Sequence, residues 1–375
     1  MSIELDDRSK RIFDLLQKKG AMTKKEILKN IDMKLTTLNR LMRPLEDERL
    51  IVEYGIEDSA GGRKPIMYNV NLCGFYIIGI DISREFINIV FTNIKLELFY
   101  EDRINLKGIL SEKKIADKII NCINKVVGEL RLDVLTLFGV GVSVLNVASF
   151  KCSGYTKLKS ELERELSSRV IIENGANSAA LAEYLYGFNR RISNMAYFNC
   201  TEIIRSGVVL SGQVLRTINN KEDAFSNMLI INNKNKFDFL GNYVSESSII
   251  NNFCSKVKSG RKTIIKKNLR EIKLLDLENA INKGDSLSKE VILNSAVIFG
   301  IALANYIQVL GLKAIVLGGS LIANSKTFYD VLTKIVFDRI KNHKIKLIRE
   351  GHFKGNIFST GAAAVVVEEY LKVSV

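Results

Sequence analysis

Paired thiols are missing from this chain. Its five cysteines, Cys73, Cys122, Cys152, Cys200 and Cys254, lie far apart and never as Cys-x-x-Cys. Neither a disulfide framework nor a thiolate zinc site is indicated, and reduced, mostly buried thiols are expected. Imidazoles are scarce too: only His343 and His352 occur, far downstream, and both are expected at the surface. The opening Met1-Ser2-Ile3-Glu4-Leu5-Asp6-Asp7 has neither the positive start nor the apolar core of a secretion signal. No uninterrupted apolar run approaches the ~20 residues that span a bilayer. A cytoplasmic protein with no membrane partner is the expectation.

What is present is enough for two or three buried cores, with 375 residues of which 47% are hydrophobic. The net charge of +14 invites a nucleic-acid reading. Yet residues 1–72 carry 14 Lys+Arg against 12 Asp+Glu, so charge alone does not single out a DNA-binding segment. Lys256 to Lys273 concentrates eight basic residues against Glu271. That run reads first as a solvated helix face, and second as extra phosphate contacts.

The first seventy residues carry a sharper signal. Ile12, Leu15 and Leu16 fall at helical spacing, and Gly20 closes that helix. Thr23-Lys24-Lys25-Glu26 has the spacing at which a threonine and a glutamate satisfy each other's orphan amides, opening a second helix with Ile27 and Leu28 inward. A third helix is predicted from about Leu35 to Arg43, burying Leu38, Leu41 and Met42 and presenting Thr36, Thr37, Asn39, Arg40 and Arg43. Two short helices joined by a turn, the second bearing hydroxyls, an amide and arginines, fit a helix-turn-helix whose second helix enters a major groove. A structural three-helix bundle would share that pattern. The strands Leu50–Tyr54 and Ile66–Val70 add a wing, with Gly61-Gly62-Arg63-Lys64-Pro65 between them. An extended Gly-Arg-x-Pro segment fits a narrow A·T-rich minor groove; an ordinary basic hairpin tip is the plainer reading. The candidate DNA contacts are therefore Thr36, Thr37, Asn39, Arg40, Arg43, Gly62, Arg63, Lys64 and Pro65.

Beyond residue 72 the pattern is mixed α/β. Strands near 76–83, 86–93 and 96–100 form a meander, a helix runs from Ile115 to Leu130, and a strand follows at Leu137–Ser143. Then comes Ile171-Ile172-Glu173-Asn174-Gly175-Ala176-Asn177-Ser178-Ala179-Ala180, an apolar strand whose polar turn opens a helix with a small-residue face. A second pass reads Met195–Asn199, a single run Gly207–Leu215, a long helical region Ser245–Gln308, the run Ala314–Ser320, and a final helix from Gly361. Two lobes with a cleft between them fit this order. The expected domains are 1–72 (winged helix-turn-helix), 73–190 completed by the helix 360–375 (first lobe), and 191–359 (second lobe and oligomerisation region).

In the order of Gly61-Gly62-Arg63-Lys64-Pro65, Ile78-Gly79-Ile80-Asp81-Ile82, Glu173-Asn174-x-Ala176-Asn177-x-Ala179-Ala180, Leu317-Gly318-Gly319-Ser320 and Gly361-Ala362-Ala363, the chain resembles the ROK family (repressors, open reading frames, kinases). The likeness spans nearly the whole chain and is greatest to the transcriptional-repressor branch, that of the bacterial xylose repressors. The resemblance implies an actin-like (ribonuclease H-like), two-lobed sugar-kinase fold with an N-terminal winged helix-turn-helix. It also implies a homodimer or homotetramer responding to a sugar; with the wing at a minor groove and two-fold symmetry, its double-stranded operator is expected to be A·T-rich and palindromic.

Three motifs depart from the family. Where its kinases have a Gly-Thr-Gly phosphate loop, Cys200-Thr201-Glu202-Ile203-Ile204 puts a carboxylate and β-branched side chains. Where they have the general-base aspartate, Gly175 stands, and strand alternation turns Glu173 to another side. Where family repressors bind zinc, Asn227 replaces the histidine and Phe239-Leu240-Gly241 the last cysteine segment. No catalytic residue, cofactor or metal ligand is therefore assigned, and kinase activity is the disfavoured alternative. Asn174 and Asn227 are the candidate effector contacts. Two readings stay open: an effector other than a simple hexose, or a dimerisation body without a ligand.

Overall fold

The computed structural model describes residues 5–56, 65–108, 111–144, 155–216, 224–232, 235–340 and 344–371. They group into two units, Met1–Glu173 with Phe358–Val375, and Asn174–Ile357.

The first unit opens with α1 (Asp7–Lys19), the two-residue β1 (Met22–Thr23), α2 (Lys24–Asn30) and α3 (Leu35–Asp47). Two strands follow, β2 (Ile51–Ile56) and β3 (Ile66–Val70), in a three-stranded antiparallel sheet of order β1-β3-β2. The capping box expected at Thr23 and Glu26 forms, and the backbone N–H and hydroxyl of Thr23 hold the Glu26 carboxyl below its usual range. Gly20 ends α1 at a φ of 83°. Helix α3 runs four residues past the expected end, through Pro44 to Asp47. Proline removes the bond to the Arg40 carbonyl, but that side of the helix faces water, while Leu45 extends the buried row of Leu38, Leu41 and Met42.

Next come β4 (Tyr76–Ile82), β5 (Phe86–Thr92), β6 (Leu98–Asn105), α4 (Glu112–Leu130), β7 (Leu137–Val144), α5 (Thr156–Leu166) and β8 (Val170–Asn174). Their sheet has the order β6-β5-β4-β7-β8, an antiparallel meander continued by β7 parallel to β4. One face, with Ile78, Ile80, Val140 and Val142, packs on α4 and α5. The other receives the C-terminal helix Ile357–Leu371. Its small-residue start allows backbone-to-backbone approach: a Cβ on Gly79 would overlap the Ser359 carbonyl, and one on Gly141 the Ala362 carbonyl.

The second unit repeats the plan. After α6 (Gly175–Ala182) and a π-helical turn at Glu183–Gly187 come β9 (Met195–Cys200), β10 (Ile204–Leu210), β11 (Gln213–Val214), β12 (Leu229–Ile231) and β13 (Phe237–Phe239). Then follow α7 (Gly241–Val244), α8 (Glu246–Lys258), α9 (Leu274–Asn282), α10 (Ser286–Leu310), β14 (Ala314–Gly318), α11 (Ser320–Asn324), α12 (Lys326–Arg339) and β15 (Lys346–Arg349). The main sheet has the order β11-β10-β9-β14-β15. The run expected as one strand over Gly207–Leu215 is a hairpin, because Ser211 and Gly212 turn at φ of 51° and 81°.

The expected helical stretch from Ser245 divides into α8, α9 and α10, and 259–273 is not α-helical. The basic run is thus not one helix face. Lys256 and Arg261 pair with Glu290 at 2.9 and 2.7 Å, and Lys267 with Asp276 at 2.9 Å. Helix α10 is long and apolar enough by length and composition to cross a bilayer, although Asn294, Ser295, Asn305 and Gln308 interrupt its apolar run. More than half of that stretch is buried in the unit's own core, as in a soluble core helix.

Candidate nucleic-acid interface and effector site

The winged module is held by a small apolar core of Ile12, Phe13 and Leu16 from α1, Ile27 from α2, Leu38, Leu41, Met42 and Leu45 from α3, Leu50 just before β2, and Ile51 and Val70 from the strands. Each such side chain contributes about 1.5–3 kcal/mol by leaving water. The Ser9 hydroxyl donates to the Leu41 carbonyl at 2.9 Å, fixing the angle between α1 and α3. With Leu38, Leu41, Met42 and Leu45 turned inward, α3 must present the intervening residues outward. Thr36, Asn39, Arg40 and Arg43 are exposed and Thr37 is half-buried.

These outward groups differ in readiness. The Asn39 side-chain oxygen accepts from the Lys24 ammonium at 2.8 Å, and Lys24 also lies 5.0 Å from the Tyr68 ring centroid. A bidentate Asn–adenine contact needs both the oxygen and the amine of the carboxamide, so Lys24 must swing aside for it. Arg43 sits 3.7 Å from Asp47, with both side chains well exposed. Such pairs contribute little, which leaves the guanidinium free to reorient. Lys24 and Lys34, beside α3, were not among the sequence-based candidates, although their charges on either side of the turn were visible. Lys34 precedes α3 without a side-chain cap, so the first amides of α3 are open to an anion.

In the wing, β2 and β3 pair with an irregularity between Glu53 and Gly55. Gly62, Arg63 and Lys64 lie outside the described residues; Pro65 is described and exposed.

The second candidate region begins at Asn174. Its side-chain oxygen accepts from the Asn177 N–H at 2.9 Å and its carbonyl from the Ser178 hydroxyl at 2.9 Å, so it caps α6. The small face of α6 then seats on the second sheet, where a Cβ on Gly207 would overlap the Ala176 carbonyl. The Asn174 side-chain oxygen is thus engaged in the cap and does not face a ligand. Asn227 stands exposed in the turn before β12.

The other altered motifs are tied into the frame. The turn 201–203 joins β9 and β10, with Ile204 opposite Cys200. Its Thr201 carbonyl accepts the Glu246 N–H at 3.0 Å, and its Glu202 carbonyl accepts the Ser247 hydroxyl. A phosphate loop points amides at its ligand; this turn spends carbonyls on the start of α8. The segment aligned with the family's zinc site forms the β12–β13 hairpin. There Asp238 accepts from Tyr243 at 2.8 Å, Asn242 at 2.7 Å and the Phe239 N–H at 2.8 Å. The Tyr243 bond leads in holding its carboxyl below the usual range. These residues do not fit zinc, which needs about four nitrogen, sulfur or carboxylate ligands. Among the described residues no three His, Cys, Asp or Glu side chains converge.

Sequence reasoning missed Glu183. It is 2% exposed, and its carboxyl accepts from the His352 N–H at 2.7 Å and the Phe353 N–H at 3.4 Å. Burial pushes it above the usual range against those two bonds. Cβ atoms on Gly187 and Gly351 would overlap its oxygens, so both glycines make room for it. The His352 side chain itself is exposed, while His343 and Cys152 lie outside the described residues. Cys73 is exposed and Cys254 half-buried, whereas Cys122 and Cys200 are buried, and burial pushes the Cys122 thiol up to about 12.

Residues 5–52 match a winged helix-turn-helix DNA-binding family, and residues 240–369 match the ROK family. The chain is similar to the xylose repressor of Caldicellulosiruptor bescii, 24% identical over 380 residues that cover 93% of this chain and 92% of that one. It is likewise similar to the xylose repressor of Bacillus subtilis, 23% identical over 373 residues, 92% of this chain and 94% of the other. Among solved structures, a ROK family transcriptional regulator homologous to the E. coli MLC protein superposes with a TM-score of 0.80 at 17% identity, covering 97% of this chain and 96% of that one. A ROK hexokinase from Thermus thermophilus gives 0.66 at 17% identity, over 79% and 99%. The fold is thus the sugar-kinase-like fold of this group with a winged helix-turn-helix in front.

Proposed function

We propose that this chain, a winged helix-turn-helix module joined to a ROK domain, is a DNA-binding transcriptional repressor of the ROK family. The observation that carries the reading is α3: a row of buried leucines and a methionine turns Thr36, Asn39, Arg40 and Arg43 out together. On this reading α3 enters a major groove, where arginine reads guanine and asparagine reads adenine. The wing, with Gly62, Arg63, Lys64 and Pro65, lies along an A·T-rich minor groove. Two copies, or four, place paired helices on the half-sites of a palindrome, an integral number of turns apart. Its relatives' names point to carbohydrate-related genes, and its setting is the cytoplasm.

The ROK domain acts as a sensor without catalysis or cofactor. Gly175 supplies no base, and the 201–203 turn directs carbonyls, not amides, into the frame. A sugar or related effector would meet Asn174 and Asn227. The reading that the domain binds no ligand at all stands beside it, favoured by the use of the Asn174 oxygen as a cap.

Gel shifts with Arg63→Ala test the DNA reading: operator affinity and A·T preference should fall together. Equal affinity of both proteins for operator and random DNA refutes it. A thermal-shift screen of sugars and sugar phosphates separates the sensor from the ligand-free dimer, since a specific ligand stabilises the state it binds. Turnover of ATP with any hexose would restore the kinase reading.

A further inference from the structure

The β12–β13 hairpin has two unlike faces. In its register Leu229 stands opposite Phe239, Ile230 opposite Asp238, and Ile231 opposite Phe237. Side chains alternate along a strand, so the first and last pairs share one face and the middle pair takes the other. The inner face is used: Ile230 packs on the core of the second unit, and Asp238 is tied to Tyr243 and Asn242. The outer face is bare. Its Leu229, Ile231, Phe237 and Phe239 are 64%, 67%, 78% and 50% exposed. Together they show roughly 500 Å² of apolar surface, as much as the largest patch of an ordinary monomer, and patches of that size are often functional.

We infer that this outer face docks on an anionic phospholipid surface. Three observations favour lipid over a protein as the occupant. The first is charge. Between Ala224 and Leu240 the only acid is Asp238, which is held on the inner face, whereas Lys236 is exposed at the tip beside Phe237, the most exposed of the four. The chain as a whole carries +14, which an anionic leaflet attracts. Second, the outer face offers no hydrogen-bonding side chain. A specific protein interface forms about one hydrogen bond per 100–200 Å²; a bilayer asks for none. Third, a ribbon with three residues in each strand holds its four apolar side chains out in a single layer. Such a layer can sink to the boundary of the acyl chains while the lysine stem reaches back to the headgroups. Docking of this kind lies in the plane of the interface and needs no spanning helix.

The docking face does not depend on the repressor reading, and its test uses no DNA. The chain contains no tryptophan, so Phe237→Trp installs a single fluorophore on the hairpin of the full chain. With vesicles of phosphatidylcholine and phosphatidylglycerol its emission should shift to the blue, and brominated acyl chains should quench it. Leu135→Trp, at a 78% exposed residue of the first unit, should show neither change. Flotation with the same vesicles needs no fluorophore and serves if Phe237→Trp does not fold. There the double substitution Ile231→Ser with Phe239→Ser should weaken binding about tenfold or more, and Lys236→Ala should weaken it about fivefold, with circular dichroism reporting the fold of each variant. Emission from Phe237→Trp that ignores vesicles, or flotation unchanged by the double substitution, overturns the docking face. So does a blue shift without vesicles that grows with protein concentration, which would give the face to a second copy of the chain.

Discussion

Replacing Arg40 by alanine separates recognition from folding. The guanidinium is exposed in α3 and has no ion pair among the described residues. Alanine is the best helix former, so stability should change by no more than about 0.5 kcal/mol. Leu41, the next residue, is 2% exposed and enters the core; Leu41→Ala should remove about 2–5 kcal/mol of stability by opening a cavity. Two adjacent substitutions thus have opposite signatures. If Arg40 is bidentate to a guanine, its loss weakens the correct sequence by about 1–3 kcal/mol and relaxes discrimination at one base pair. If it meets a phosphate, all sequences weaken alike and the salt slope falls by about 0.9, so that the contact accounts for roughly a 3.5-fold change between 50 and 200 mM salt. Fluorescence anisotropy on DNA selected by the protein from a random pool, measured at several salt concentrations, distinguishes the two. An Arg40→Ala protein that matches wild type in affinity, discrimination and slope would remove α3 from the groove.

Glu183 gives a pH test. Its folded carboxyl is raised, so the folded state holds the proton more tightly than the unfolded chain. Its contribution is therefore fully present below the ordinary glutamate value of 4.5 and is lost as pH rises through the raised folded value. Glu183→Gln keeps an acceptor for the His352 N–H and should gain on wild type as pH rises above the ordinary glutamate range in urea unfolding; parallel curves would refute the assignment. Glu183→Ala leaves two amides without their acceptor and should cost about 1–3 kcal/mol. Asp238→Ala should speed amide exchange in the β12–β13 hairpin and α7 while leaving α10 unchanged, and unaltered exchange at Phe239 and Asn242 would show that the carboxylate does not hold the hairpin.

Local and repeating signals were legible in the sequence. The Thr23–Glu26 box involves four consecutive residues, and the small faces of α6 and the C-terminal helix are runs of alanine, serine and glycine. Both formed as expected. Signals that depend on distant partners were not. The Glu183 carboxyl bonds an amide 169 positions away, and nothing near it in sequence marks that use. Helix α3 passes Pro44 because Leu45 has a core to enter, a tertiary gain that local propensity does not contain. Ser211 takes a positive φ that a serine does not advertise, which turned an expected strand into a hairpin. At the candidate interface the residue types on α3 were readable, but the Lys24–Asn39 bond was not, since it links two helices across a turn.

The three departures from the kinase pattern share a physical consequence. At Asn174 the polar atom that could face a substrate caps α6. At 201–203 the backbone that could cradle phosphate bonds the start of α8 through its carbonyls. In the hairpin segment, where zinc would draw the chain together, Asp238 gathers Tyr243, Asn242 and an amide. All three positions are held by hydrogen bonds inside the second unit. Orphaned polar atoms would be penalised by about 1–3 kcal/mol each, so a chain that loses its ligands must either refill these positions with internal bonds or lose the fold. This chain refilled them, and the tight approach of Gly207 to Ala176 that seats α6 is retained. On the repressor reading proposed above, a domain bonded in this way keeps its shape and its frame without the groups that a kinase uses to react, which is what a regulator needs from such a scaffold.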